Sequence, residues 1–262
     1  MTGDSYECVD IDADGPAAVI RLNRPERRNA LSNKLILNVT RAVCAASADP
    51  GVRTIVITGS RECFSAGADL SEAVSIDATE FRAWNLRFRR LTEQIELAPK
   101  PVIAAISGYC FTGGLELALA CDVRIASDTA TFAMTSAKIG SVAGFGGTQR
   151  LPRVVGPSAA KRMMFRAEPL DAVEAYRIGL VDAVVPVDDL DDYVADETAL
   201  YATRGPLSLA MTKRAVDHGM QVDLASGLEI ETDIVAHVFA TEDKLEGMRA
   251  FLEKRQPHFH GR

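Results

Sequence analysis

The sequence predicts an α/β fold in which strand and helix units alternate and then give way to an all-helical C-terminal region. Three observations predict it. Residues 52–58 (VRTIVIT) and 101–106 (PVIAAI) are β-branched or wholly apolar runs, suited to strands buried on both faces. The segments around them carry apolar residues at helical spacing. From about Asp188 onward the chain reads as helix to its end. The expected division is residues 1–190 as a core that carries a site and residues 191–262 as an all-helical region.

Taken in order, residues 6–11 and 17–22 read as two strands joined by the turn sequence Asp14-Gly15-Pro16, an N-terminal hairpin. Ser32 is placed to cap a helix running to about Ala46, with Leu35, Val39, Ala42 and Val43 on one face. Asp49-Pro50-Gly51 ends that unit, and the strand at 52–58 follows. It delivers the chain to Gly59-Ser60-Arg61-Glu62-Cys63-Phe64-Ser65-Ala66-Gly67-Ala68-Asp69-Leu70, where small residues let backbone approach a ligand and offer N–H donors, or simply form a surface loop. Residues 79–97 form an amphipathic helix with Phe81, Trp84, Phe88, Leu91 and Ile95 at helical spacing and Arg82, Arg87, Arg89 and Arg90 on its polar side. Trp84 and Phe88 read as core rather than ligand wall.

Residues 107–122 (SGYCFTGGLELALACD) are the centre of the chain. A strand feeds a helix through Gly113-Gly114, which leaves free N–H groups at the helix start. Glu116 lies about one helical turn after Gly113, so its carboxylate and the Gly113 N–H can face one small volume. An oxyanion donor and a base would then share a pocket. Leu115, Leu117, Ala118 and Leu119 surround Glu116 with apolar surface, where an acid is costly to bury. The competing reading is a tight turn followed by an acid that favours the positive helix end. Beyond it, strands are expected at 123–126 and 129–134. Residues 140–147 (GSVAGFGG) form a glycine-rich loop that lacks the lysine and spacing of a nucleotidase phosphate loop, so it is expected to shape a pocket wall. Helices at 158–165 and 171–178, the latter stopped by Gly179, and a strand-like run at 180–187 complete the core.

Composition narrows the function. With 262 residues, 47% hydrophobic and 25% charged, the chain reads as an ordinary globular protein with a sizeable core. A net charge of −7 argues against nucleic acid or an acidic membrane as the main partner. Cys8, Cys44, Cys63, Cys110 and Cys121 are odd in number and lack a paired-ligand spacing, so they are expected as reduced thiols with no disulfide and no metal site. No targeting segment or membrane-length apolar window is evident, and a cytoplasmic location is expected.

These residues resemble the enoyl-CoA hydratase/isomerase, or crotonase, superfamily nearly end to end. The resemblance is carried by Leu22-Asn23-Arg24-Pro25 with Asn29-Ala30-Leu31, Phe64-Ser65-Ala66-Gly67-Ala68-Asp69, Lys100-Pro101-Val102-Ile103-Ala104-Ala105 and Gly113-Gly114 with Glu116-Leu117-Ala118. It continues through Gly146-Gly147-Thr148-Gln149-Arg150-Leu151, Gly179-Leu180-Val181, Ala240-Thr241-Glu242-Asp243, Glu246-Gly247-Met248 and Phe251-Leu252-Glu253-Lys254-Arg255. It implies a crotonase-like spiral of repeated ββα units whose helical C-terminal region packs into homotrimers, often paired as hexamers. It also implies an acyl-CoA substrate, with coenzyme A present only as part of that substrate and no tightly bound cofactor. The thioester oxygen would sit between the N–H groups of Ala68 and Gly113, the positions that the small-residue loop and the helix start suggest independently. Arg27, Arg28, Ala66 and Asp69 are the positions implied to approach CoA, while Phe251 and Lys254 would reach the CoA nucleotide of a neighbouring subunit.

One departure bears on mechanism. Hydratases of the superfamily use a second glutamate in a segment reading roughly Phe-Gly-x-Pro-Glu. Here the segment is Phe132-Ala133-Met134-Thr135-Ser136, with Ser136 in the glutamate's place. A hydroxyl can hold a water but cannot deliver a proton near neutral pH as a tuned carboxylic acid does, and such help is worth ~10²–10⁴-fold. Thr112 also stands where many relatives have glycine, which is expected to narrow the entrance. Three readings therefore stay open: a hydratase or isomerase working through Glu116 alone or with a water on Ser136, a one-carboxylate thioester or carbon–carbon bond hydrolase, and an acyl-CoA binding protein without turnover.

Overall fold

A computed structural model describes residues 6–12 and 15–262; Asp14 of the expected hairpin turn lies outside them. Strand β1 (Val9–Asp12) pairs antiparallel with β2 (Ala17–Leu22). The first strand thus begins later than the expected residue 6. Helix α1 (Asn33–Ala48) starts where expected, with the Ser32 hydroxyl accepting from Leu35 N–H.

Three successive strand pairs then build two sheets at once. β3 (Thr54–Thr58), β5 (Val102–Ile106) and β7 (Val123–Ser127) pair in parallel with one another, and β2 and β10 (Ala183–Val185) extend them to a six-stranded sheet in the order β1-β2-β3-β5-β7-β10. Their sequence followers β4 (Cys63–Ser65), β6 (Tyr109–Phe111) and β8 (Thr131–Ala133) pair in parallel in a second sheet, closed by the two-residue β9 (Leu170–Asp171). Each turn of the chain places one strand in each sheet and then leaves into helix: α2 (Leu70–Ala73) and α3 (Ala78–Glu96) after the first, α4 (Gly113–Ala118) after the second, α5 (Gly147–Val155) and α6 (Pro157–Arg166) after the third. This is the ββα spiral. The short β6 was not foreseen; it separates the run 102–106 from the helix that carries Glu116.

The large sheet is apolar on both faces for a physical reason. Alternate residues Ile55, Ile57, Val102, Ala104 and Ile106 join the main core with α1 and α3. The opposite set, Val56, Ile103, Ala105 and Ile125, is covered by Leu190 and Val194 of α8 (Leu190–Ala202). After α7 (Ala172–Arg177), the chain is thus helical from α8 through α9 (Pro206–Gly219), α10 (Leu224–Phe239) and α11 (Glu242–Glu253). Helix α9 is tied back to the core by Lys213, whose Nζ donates to Asp122 Oδ2 at 2.9 Å and to the Ile95 carbonyl at 2.8 Å. The five cysteines are free thiols. Among the described residues no helix is long and apolar enough to cross a membrane.

Candidate active site

The loop after β4 is shaped by the motif around Asn29. The Asn29 side-chain amide donates to the carbonyls of Cys63 (3.0 Å) and Phe64 (3.2 Å), and Ser65 Oγ returns a bond to the Asn29 carbonyl (2.8 Å). Leu31 N–H donates to Gly67 O at 2.8 Å and Asp69 N–H to Leu31 O at 3.3 Å. Ala68, between them, keeps its own N–H without a protein acceptor among the described residues. Gly113 N–H is in the same condition. The two backbones approach so closely that a methyl group on Gly113 would stand 3.1 Å from Ala68 N. Two N–H groups without a protein acceptor thus lie on closely approaching backbones, and any side chain on Gly113 would crowd Ala68 N.

Glu116 completes the group. It is 1% exposed, and one carboxylate oxygen, Oε1, accepts N–H bonds from Phe145 (2.7 Å) and Gly147 (2.8 Å). Oε2 has no protein partner among the described residues. Burial pushes the carboxyl up from an ordinary 4.5 to about 7, against the opposing pull of the two N–H groups and the Arg150 guanidinium. A carboxyl titrating near neutrality can both take and return a proton. The glycine-rich loop therefore does more than form a wall: it grips the acid. The loop is in turn held by α3, because the Phe145 ring stacks on Phe88 (centroids 4.3 Å apart, 14° between planes) and meets Trp84 edge-on at 5.8 Å. Trp84 and Phe88 are fully buried core residues behind the wall that Phe145 presents.

A cavity of about 290 Å³ brings these groups together; Ala66, Ala68, Gly113, Glu116, Ser136 and Phe145 line it, with Phe81 and Thr112. Ser136 sits in a 3-10 turn, Thr135–Ile139. The remaining predicted residues stand elsewhere. Asp69 is buried as the cap of α2, where Ser71 N–H and Oγ bond its Oδ1 and Arg24 bonds its Oδ2 at 2.7 Å. Burial pushes its carboxyl up, but the Ser71 and Arg24 bonds outweigh that and hold it below the ordinary range. Its carboxylate fixes the loop and does not line the cavity. Arg27 and Arg28 are exposed, Arg28 with left-handed backbone (φ 50°). Phe251, 83% exposed, and Lys254, at the end of α11, do not line this cavity either.

Sequence reasoning missed Phe145 and Thr135. Phe145 acts through a backbone N–H, which leaves no mark in residue type. Thr135 is hydrogen-bonded to Thr112, Oγ1 to Oγ1, at 2.8 Å.

Comparisons with known proteins bear on the family and the fold. The sequence model of the enoyl-CoA hydratase/isomerase family matches residues 13–262. The chain is 41% identical over 256 residues to a crotonyl-CoA hydratase of Syntrophomonas wolfei, covering 97% of this chain and 98% of that one. It is 36% identical over 249 residues to a short-chain-enoyl-CoA hydratase of Clostridium acetobutylicum, covering 95% of each. Among solved structures, an enoyl-CoA hydratase from Bacillus anthracis superposes with a TM-score of 0.94 at 36% identity, over 98% of this chain and 100% of that one.

Proposed function

The chain is an enzyme of the enoyl-CoA hydratase/isomerase family, and on that footing we propose that it moves a proton through Glu116 on an acyl-CoA whose thioester oxygen lies between the Ala68 and Gly113 N–H groups. The observation that carries this reading is the shared cavity: two unoccupied donors and one carboxylate with a free oxygen. As negative charge develops on the thioester oxygen, the N–H pair stabilises it without reorganising, a contribution of ~10²–10³ in rate per donor. In hydration, Glu116 Oε2 takes a proton from the water whose oxygen attacks Cβ, and the protonated carboxyl then returns that proton to Cα of the resulting enolate, so that H and OH add across the double bond and Glu116 is regenerated. In isomerisation, the same oxygen takes a proton from one carbon and returns it to another, with no net water. The cavity is at the small end for small-molecule sites, which supports a short acyl chain, as do the names of the two hydratase relatives.

Ser136 favours a second reading. It lines the cavity at the position where hydratases of the family carry a second acid, so one-carboxylate thioester or carbon–carbon bond hydrolysis competes with hydration or isomerisation. Isomerisation and carbon–carbon hydrolysis pass through an enolate, as does hydration run in either direction, whereas thioester hydrolysis passes through a tetrahedral oxyanion held by the same two N–H groups; Glu116 moves the proton in each. Exchange of acyl-CoA α-protons with deuterated water tests it: wild type should exchange, and Glu116→Gln should lose exchange by about 10²-fold or more while still binding acyl-CoA. Equal exchange by both proteins would remove Glu116 from the chemistry.

The same reading assigns CoA to the substrate alone, with Arg27, Arg28 and Ala66 near it and Phe251 and Lys254 contributed by a neighbouring subunit. Exposed Met220, Leu224, Leu228, Val235, Phe239 and Leu252 on and around the last helices support a homotrimer or a dimer of trimers. The free thiols suit the reducing cytoplasm.

A further inference from the structure

Thr112 has a backbone that its residue type disfavours. Its φ is 43° and its ψ −108°, in territory that glycine enters freely and a β-branched residue almost never does. Such an outlier persists only where its surroundings hold it. Three bonds do so. Thr112 N–H donates to the Ala133 carbonyl at 2.7 Å, its carbonyl accepts Glu116 N–H at 2.8 Å, and its Oγ1 accepts Thr135 N–H at 3.1 Å while sharing a proton with Thr135 Oγ1 at 2.8 Å.

The orientation of the next peptide follows from this. In a planar trans peptide the C=O and N–H point in opposite directions. With the Thr112 carbonyl turned toward Glu116 N–H, the Gly113 N–H is turned the other way, beside Ala68 N and into the cavity. A glycine would hold this conformation without strain but would also be free to leave it. The hydroxyl clasp removes that freedom, and it anchors the peptide to the turn that carries Ser136.

We propose that Thr112 is a positioning residue whose hydroxyl, clasped by Thr135, keeps the Thr112–Gly113 peptide oriented so that Gly113 N–H serves as the oxyanion donor. This rests on the oxyanion reading above. Its narrowing of the cavity is then incidental to its use.

The experiment compares wild type with Thr112→Val, Thr112→Ser and Glu116→Gln. Two quantities are read: kcat and KM for α-proton exchange, and the ¹³C shift of the bound carbonyl of a saturated acyl-CoA labelled at C1, which reports hydrogen bonding to the thioester oxygen without any turnover. Thr112→Val should lower kcat about 10-fold with KM changed less than about threefold, as loss of an interaction stronger in the transition state does. It should also move the carbonyl shift back toward its value in water. Thr112→Ser keeps the hydroxyl and should restore both to within about threefold of wild type. Glu116→Gln should abolish exchange and leave the carbonyl shift in place. If Thr112→Val keeps the wild-type carbonyl shift and rate, or if Thr112→Ser fails as badly as Thr112→Val, the positioning role is wrong. If Glu116→Gln exchanges normally while Thr112→Val still loses the carbonyl shift, the base assignment fails and the clasp stands. Should Thr112→Val not fold, Thr135→Val removes the hydroxyl pair from the other side. A smaller loss of the same kind then supports the role, and a wild-type shift overturns it.

Discussion

Gly147 N–H donates to Glu116 Oε1 over 2.8 Å, and the same closeness leaves no room on Gly147 for a side chain: a methyl group there would stand 2.8 Å from that oxygen and 3.0 Å from Met134 Cε. The acid and the glycine are therefore a single fitted unit. The crowded atoms, which include Glu116 Cγ at 3.0 Å, all belong to the Glu116 and Met134 side chains and not to backbone, so they can shift without unfolding the chain. Gly147→Ala is expected to fold with little change in melting temperature yet lose about 10-fold or more in α-proton exchange, since a displacement of the order of an ångström at a catalytic group is costly. Melting and exchange measured on one preparation check this; an Ala variant of full activity would show that the grip on Glu116 is dispensable.

The raised Glu116 carboxyl links activity and stability to pH with a definite sign. Its folded value of about 7 exceeds the ordinary 4.5, so between those values the native state binds a proton that the unfolded chain has released. This contribution is fully present below about pH 4.5 and is lost as pH rises through about 7. At roughly 1.4 kcal/mol per pKa unit it amounts to about 3 kcal/mol. Glu116→Gln lacks the titration, so urea unfolding should find the variant's stability relative to wild type higher at pH 8 than at pH 4.5 by about that amount. In wild type the exchange rate should rise through about pH 7 as the base form appears. A stability difference independent of pH would contradict the burial of a titrating acid here.

These dependences also show what the residues could and could not disclose in advance. The runs 54–58 and 102–106 were legible because burial on both sheet faces demands unbroken apolar sequence, and α1 and α3 because their spacing and caps are local. β4, β6 and β8 are three residues each and exist through one another, so little in any one of them signals a strand. Glu116 and Gly113 stood out as an acid in an apolar run and a glycine at a helix start. Asp69 was expected near CoA only through the family resemblance; that its carboxylate is bonded by Arg24, 45 positions earlier, is a fact of the folded chain. Thr112 could be noticed as a residue type, but its left-handed backbone and its partner Thr135 are facts of the folded chain alone.

The neighbouring-subunit reading of Phe251 and Lys254 is testable apart from catalysis. Lys254 is exposed at the end of α11 and is not among the residues that line the cavity of its own chain. If it meets a CoA phosphate across an interface, Lys254→Ala should weaken acyl-CoA binding by about 1–2 kcal/mol, the worth of one partly exposed charge-assisted contact. Light scattering should find a trimer or hexamer at micromolar concentration. A monomer, or unchanged affinity by calorimetry, would move the nucleotide elsewhere.

Ser136 carries the sharpest chemical expectation. It lines the cavity with Glu116 and the two N–H donors, and its turn is clasped to the start of α4 through the Thr112 and Thr135 hydroxyls. A carboxylic acid placed there would share the cavity with Glu116 and could supply the proton that Cα needs after water has added to Cβ, a step for which a serine hydroxyl is a poor donor at neutral pH. Two acids in one apolar cavity would also raise each other's pKa, which keeps one of them protonated and able to donate. Ser136→Glu should therefore raise the rate of water addition to crotonyl-CoA by about 10²-fold, read as loss of enoyl thioester absorbance, and Glu116→Gln should abolish hydration in either background. If wild type already hydrates crotonyl-CoA at an ordinary enzyme rate and Ser136→Glu slows it, the proton reaches Cα by another route, and the one-carboxylate mechanism fails.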